Sequence, residues 1–189
     1  CEQAGIDLWG EVELAWRLQE EGPHAGRPWL TVTGTNGKTT TSYLMRAAIA
    51  SRYPKASLCG TVETHVGPIS FEAVRTTAEA PVVARILAAT EQYECGAGII
   101  ELSAHALSLH RVDGIVFDVA AFTNLQHDHL DYYGDMENYF QAKALLFTPE
   151  HSRRGVVCVD DEWGRRLAEQ ATVPVTTVSA LTDEPADWQ

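Results

Sequence analysis

Apolar residues fall along this chain in two recurring patterns, and the order of those patterns sets the fold class. WLTVT at 29–33, AGIIE at 97–101 and GIVFDVAAF at 114–122 are short apolar runs. Runs of this kind occur in parallel strands covered on both faces. Between and after them the spacing turns helical. Thr39 to Ala50 places Leu44, Ala47 and Ala48 on one face, and helices are predicted over 79–93, 135–147 and 161–170. GVVCVD and VPVTTVS supply two further strands, and SLCGTVET with ISFEAV flanks Gly67-Pro68 as a hairpin. Thr76-Thr77-Ala78-Glu79 has the form of a helix capping box. Strands alternating with helices predict an α/β fold with a doubly wound, mostly parallel sheet. Residues 11–21 (EVELAWRLQEE) form one more helical run, ended by Gly22-Pro23.

Composition narrows the ligand. With 189 residues and 45% hydrophobic content the chain can bury one real core, and 26 acidic against 14 basic residues give a net charge of −12. That balance argues against a general nucleic-acid or anionic-membrane binder, so any anionic ligand needs a local cluster of donors. The four cysteines are widely spaced and read as reduced thiols of a cytosolic protein. No apolar run is long enough to span a bilayer. The chain opens on Cys1 and stops at Trp188-Gln189 just after a strand, as a piece of a longer protein would.

TVTGTNGKTTTSYLM at 31–45 carries the candidate chemistry. The usual phosphate loop spaces its glycines by four residues; here only Thr35 and Asn36 lie between Gly34 and Gly37, before Lys38, Thr39 and Thr40. A strand entering at Gly34 and a helix leaving near Lys38 would still aim backbone N–H groups and the helix dipole at an anion. Lys38 can neutralise terminal phosphates and Thr39 can offer a hydroxyl to Mg²⁺. The plainer alternative is a glycine turn opening a helix. Glu101 closes an apolar run, where open α/β sheets place their ligands, or it caps the next helix. Lys143 falls in the apolar stripe of Met136, Tyr139, Phe140 and Phe147. Burial there would lower its amine pKa, unless the side chain snorkels out from the stripe's edge.

The loop T-G-T-N-G-K-T-T resembles the ATP loop of the Mur ligases, which build the bacterial cell-wall peptide; folylpolyglutamate synthetases carry a similar one. Gly60-Thr61-Val62-Glu63-Thr64, the segment from Val74 to Pro81, ELSAHALSLHRVDG at 101–114 and FTNLQHDHLDYYGDMENYFQAKALLF at 122–147 resemble the MurE type, the UDP-N-acetylmuramoyl-tripeptide synthetases. The resemblance runs from about 30 to 180.

That resemblance implies an incomplete central ATP-binding domain over 30–189, belonging to a ligase whose N- and C-terminal domains are missing. It implies an acyl-phosphate route from ATP, with UDP-MurNAc-L-Ala-D-Glu and an amino acid as substrates. Gly34, Thr35, Asn36, Gly37, Lys38, Thr39 and Thr40 would hold ATP. Thr39 and Glu101 would hold Mg²⁺, and His129 a second Mg²⁺ with Lys143, which the family carbamylates. Thr76, Thr77, Ser103 and Arg111 match contacts to the UDP-sugar peptide, although Thr76 could instead cap a helix and Arg111 sit in a surface ion pair.

Three departures stand out. Ala104 replaces a second serine, Gln126-His127 replaces a common Gly-Arg, and residues 1–29 resemble the segment before the ATP loop of the D-glutamate-adding (MurD-type) ligases, a change of character that suggests a chimera. A non-catalytic nucleotide-binding module is the reading from another class.

Overall fold

The computed structural model describes residues 27–181 and 185–188; the helix expected over 11–21 and the leader it belongs to lie outside them, apart from Arg27 to Trp29. Eight strands form one sheet: β1 (Trp29–Thr33), β2 (Ser57–Cys59), β3 (Glu63–Val66), β4 (Ile69–Glu72), β5 (Gly98–Glu101), β6 (Val119–Phe122), β7 (Gly155–Cys158) and β8 (Val175–Val178). Their order is β4-β3-β2-β5-β1-β6-β7-β8. From β2 to β8 in that spatial order the pairings are parallel, while at one edge β3 pairs antiparallel with both β2 and β4. In β5 all four residues are buried. Since successive side chains point to opposite faces, both faces of the sheet centre must be covered.

The covering helices are α1 (Lys38–Ile49), α2 (Ala80–Gln92), α3 (Ala104–Ser108), α4 (Leu130–Tyr133), α5 (Met136–Ala144) and α6 (Glu162–Gln170). Helix α1 packs on β1, β2 and β5, α2 on β3, α6 on β7, and α3 and α4 on α5. Trp29, Ile100, Phe117, Phe122, Tyr139, Phe140 and Phe147 anchor the buried cluster among them.

Several local expectations shift. Leu44 is 63% exposed and Ala47 and Ala48 also face solvent, whereas Ser42 is the buried residue of α1. The inward face of α1 runs through Lys38, Ser42, Met45 and Ile49, because position 42 reaches Glu101 under the sheet's end. No capping box forms at Thr76. The N-cap of α2 is Glu79, without a side-chain cap, and Pro81 sits in the first turn, where its missing N–H costs nothing. Only Val119–Phe122 of the 114–122 run pairs as a strand, and the helix over 135–147 ends at Ala144 in a 3-10 turn, Leu145–Phe147.

The topology fixes where a ligand can enter. From β1 the chain passes through α1 to β2 on one side, while from β6 it passes to β7 on the other. The crevice at the carboxyl ends of β1 and β6 is therefore the switch point of the sheet, the place where such folds bind ligands.

At the opposite end of the strands, Gly98 faces Trp29 across the β1–β5 register, and a Cβ on Gly98 would strike the Trp29 ring. Gly98→Ala should therefore cost about 1–3 kcal/mol by overpacking. Urea unfolding of the two proteins measures it, and equal midpoints would show that the ring moves aside freely.

Candidate functional site

The loop between β1 and α1 owes its shape to glycine at two points. Gly34 (φ +147°) and Gly37 (φ +82°) occupy backbone conformations that side chains disfavour, and a Cβ on Gly34 would strike the Thr123 hydroxyl. Helix α1 then opens at Lys38 with no side-chain cap, which leaves its first N–H groups facing the crevice.

Residues 123–126, leaving β6, brace this loop from the other wall of the crevice. Thr35 N donates to Asn124 O and Asn36 N to Asn124 Oδ1, both at 2.9 Å. The Thr123 hydroxyl donates to Asn36 O at 2.7 Å, and Gln126 N donates to Thr35 Oγ1 at 2.9 Å. Asn36 Nδ2 donates to Gln126 Oε1 at 2.9 Å, a bond that glycine at position 126 would lack. None of these brace residues stood out as a candidate in the sequence, for their partners lie about ninety positions away.

Glu101, at the end of β5, has no exposure at all. Its carboxylate accepts from the hydroxyls of Thr39 (3.0 Å), Ser42 (2.9 Å) and Thr61 (2.8 Å). Gly60 makes room for it, since a Cβ there would strike Glu101 Oε1. All three donors are neutral, and among the described residues no cationic side chain reaches Glu101 at ion-pair distance. A buried, unpaired carboxylate is costly unless a cation joins it. Among the described residues no three His, Cys, Asp or Glu side chains converge, so the donors on offer are one carboxylate and hydroxyl oxygens. That set suits a hard ion such as Mg²⁺, which keeps several waters and takes one or two carboxylates plus phosphate.

Two lysines meet across the loop. Lys38 Nζ donates to Gly34 O (2.9 Å) and Thr35 O (3.1 Å), so it lies back over its own loop. Lys143 Nζ, from α5, donates to the same Gly34 O at 3.1 Å and sits 4.7 Å from the centre of the Tyr139 ring. Lys143 is 1% exposed. Burial lowers its pKa most, the positive Lys38 lowers it further, Asp128 offsets part of this, and it falls to about 7. Burial also lowers the pKa of Lys38, against the pull of Glu101 and Asp128. Snorkelling is excluded for Lys143.

His129 opens α4 in a left-handed conformation (φ 54°), with Nε2 3.4 Å from the Asp128 carboxylate and its ring edge-on to Tyr139 at 5.8 Å. Tyr139 thus gathers His129, Lys143 and, through its hydroxyl at 3.4 Å, Thr35. His127 is exposed, and Thr40 lies in the first turn of α1 beside Thr39.

A cleft of about 380 Å³ adjoins His129, lined also by Thr76, Ser103, His105 and Arg111. Arg111 is held by Thr77 O (3.1 Å) and the Glu79 carboxylate (3.0 Å), with Nε buried and lacking a partner. Thr77 itself is 1% exposed; its hydroxyl donates to Glu101 O and accepts from Ser103 N. It ties the cleft wall to the end of β5. Ser103 caps α3, and Ala104 is buried behind it. Cys59, Cys95 and Cys158 are free thiols, and no helix among the described residues is long and apolar enough to cross a membrane.

Lys143 has an ordinary unfolded pKa of 10.5 and a folded one near 7. Between those values the unfolded chain binds the extra proton, so stability contributed by this group rises with pH through that window. Urea unfolding of the parent and Lys143→Met from pH 6 to 9 should show the parent gaining stability relative to the variant. A pH-independent difference would mean the amine is not perturbed.

Comparison with known proteins agrees with this geometry. The family model of the Mur ligase middle domain matches residues 32–189. A UDP-N-acetylmuramyl-tripeptide synthetase of Leifsonia xyli subsp. xyli is 51% identical over 158 residues, covering 84% of this chain and 31% of the relative. A solved UDP-N-acetylmuramoyl-L-alanyl-D-glutamate–2,6-diaminopimelate ligase superposes with TM-score 0.78 at 29% identity, over 94% of this chain and 38% of that one. The FolC structure from E. coli, in complex with DHPP and ADP, shares the fold alone, with TM-score 0.58 and 22% identity over 95% of this chain and 50% of that one. This chain spans about a third of the length of the curated relative. With its compact glycine loop, buried Glu101 and Lys143 at one switch point, it belongs to the Mur ligase family, in which it corresponds to the middle domain.

Proposed function

We propose that this chain is the central ATP-binding unit of a ligase of peptidoglycan synthesis, which joins an amino acid to UDP-MurNAc-L-Ala-D-Glu through an acyl phosphate. The observation that carries the reading is Glu101: a fully buried carboxylate held by three neutral hydroxyls, one of them that of Thr39 at the foot of the glycine loop. The names of its relatives supply the substrate class. The other segments of such a ligase would supply the amino-acid site.

The roles of the residues follow from their chemistry. Lys38 exchanges its two carbonyl bonds for the nucleotide's terminal phosphates, while the open amides from Gly37 to Thr40 meet the phosphate oxygens. Thr35 and Asn36, fixed by residues 123–126, keep the loop from collapsing when Lys38 leaves. Thr39 and Glu101 are the residues that would hold Mg²⁺, with His129 and a carbamylated Lys143 for a second ion. Bound there, Mg²⁺ would offset the repulsion between phosphate and the carboxylate being activated. Thr76, Ser103 and Arg111 line the adjoining cleft and orient the sugar-peptide, with Arg111 as its cationic contact. Thr77 positions Ser103 and Arg111 from behind.

Calorimetry of Mg·ATP binding tests the loop. Lys38→Ala should weaken affinity by on the order of 2–3 kcal/mol, the loss of one charge-assisted phosphate contact. Equal affinity in parent and variant would reduce the loop to a turn.

Lys143 is tested in the whole ligase. Its amine, neutral for part of the time at pH 7, can attack CO₂, and the carbamate turns a cation into an oxygen anion suited to a hard metal. Carbon-13 NMR under labelled bicarbonate should show a carbamate that Lys143→Ala lacks. The variant should lose ligation, retain ATP affinity and recover in part with short carboxylates; parental turnover in the variant would refute the role.

A further inference from the structure

The loop's brace has an anchor of its own, in a part of the chain distant from the crevice. Asp161 is the N-cap of α6, and its Oδ1 accepts from Gly164 N at 2.6 Å. Its second oxygen, Oδ2, accepts from Leu125 N at 2.9 Å. Leu125 is 3% exposed and stands between Asn124 and Gln126, the two residues that hold Thr35 and Asn36.

Asp161 is itself rigidly placed. A Cβ on Gly164 would strike Cys158 O, so the first turn of α6 lies hard against the end of β7. Arg165 Nη1 donates to Val159 O at 3.0 Å and secures the same corner. A cap needs only one acceptor oxygen, and serine or asparagine caps helices as well as aspartate does. Two backbone N–H groups converge on this side chain from different elements. A carboxylate has an acceptor for each; asparagine would turn an NH₂ group toward one of them, and serine is too short to reach both.

We propose that Asp161 is a positioning residue of the phosphate loop, fixing Leu125 so that residues 123–126 hold Thr35 and Asn36 in a ligand-ready shape. The inference rests on the reading of that loop as the nucleotide site. Asp161 lies on the far side of β6, and its effect on the nucleotide is carried through Leu125 and Asn124.

Amide hydrogen exchange on the 189-residue chain, paired with Mg·ATP calorimetry, tests it. Asp161→Ser retains the cap on Gly164 and removes the bond to Leu125. Exchange at Thr35 and Asn36 should then accelerate by about tenfold or more, as expected for loss of one hydrogen bond to a charged acceptor, while Ile99 and Ile100 in the sheet stay protected. Mg·ATP affinity should fall by a similar factor. Unchanged exchange in the loop overturns the proposal.

If the sheet also loses protection, the double-variant cycle with Asn124→Ala decides. Asn124→Ala removes the Asn36 contact without touching α6, so two residues on one route give less than additive effects on loop exchange. Additive effects overturn the proposal. A parent chain that binds no Mg·ATP counts against the nucleotide reading alone, because loop exchange still reports on the brace.

Discussion

Glu101 is the constraint on which the rest of the site depends. Its carboxylate is removed from water at the centre of the sheet, and its hydrogen bonds come from neutral hydroxyls. Such a group is tolerable only where surrounding elements can bring donors to it. That requirement explains why α1 presents Ser42 inward in place of Leu44, why Gly60 lacks a side chain, and why Thr61 leaves β2 as it does. It also connects the glycine loop to the adjoining cleft, since Thr77 bonds the backbone of Glu101 and lines that cleft. One buried negative charge organises both.

The second organising feature is positive. Lys38 and Lys143 share the carbonyl of Gly34, two ammonium groups on one acceptor. Burial lowers the pKa of both amines, and the positive Lys38 lowers that of Lys143 further. The glycine at 34 is the point where backbone, Thr123 and both lysines converge.

Much of the fold was legible in the sequence. The continuous apolar runs mark β1, β5 and β6, and the helical stripe on α5 marks Lys143 as an anomaly from the sequence alone. The errors have physical causes. Leu44, Ala47 and Ala48 form a reasonable apolar face, but the tertiary demand for a small hydroxyl at position 42 turned α1 the other way. Thr76 reads as a cap because Glu79 follows at the right distance, yet Pro81 fixes the helix start later. The brace at Thr123, Asn124 and Gln126 carries no periodicity, since its partners are loop atoms distant in sequence. Asp161 likewise reads as an ordinary N-cap, and only its second oxygen reveals more.

The brace joins residues near 35 to residues near 124, and those contacts exist only after β1 and β6 have paired. Contacts so far apart in the chain are slow to form and arrive with the closing of the sheet's centre. The phosphate loop thus has no independent life as a local turn. It acquires its shape in the same cooperative event that buries the core. A ligand seated there stabilises the assembled sheet as a whole, not a loop alone, and its affinity reports the folded fraction of the entire unit.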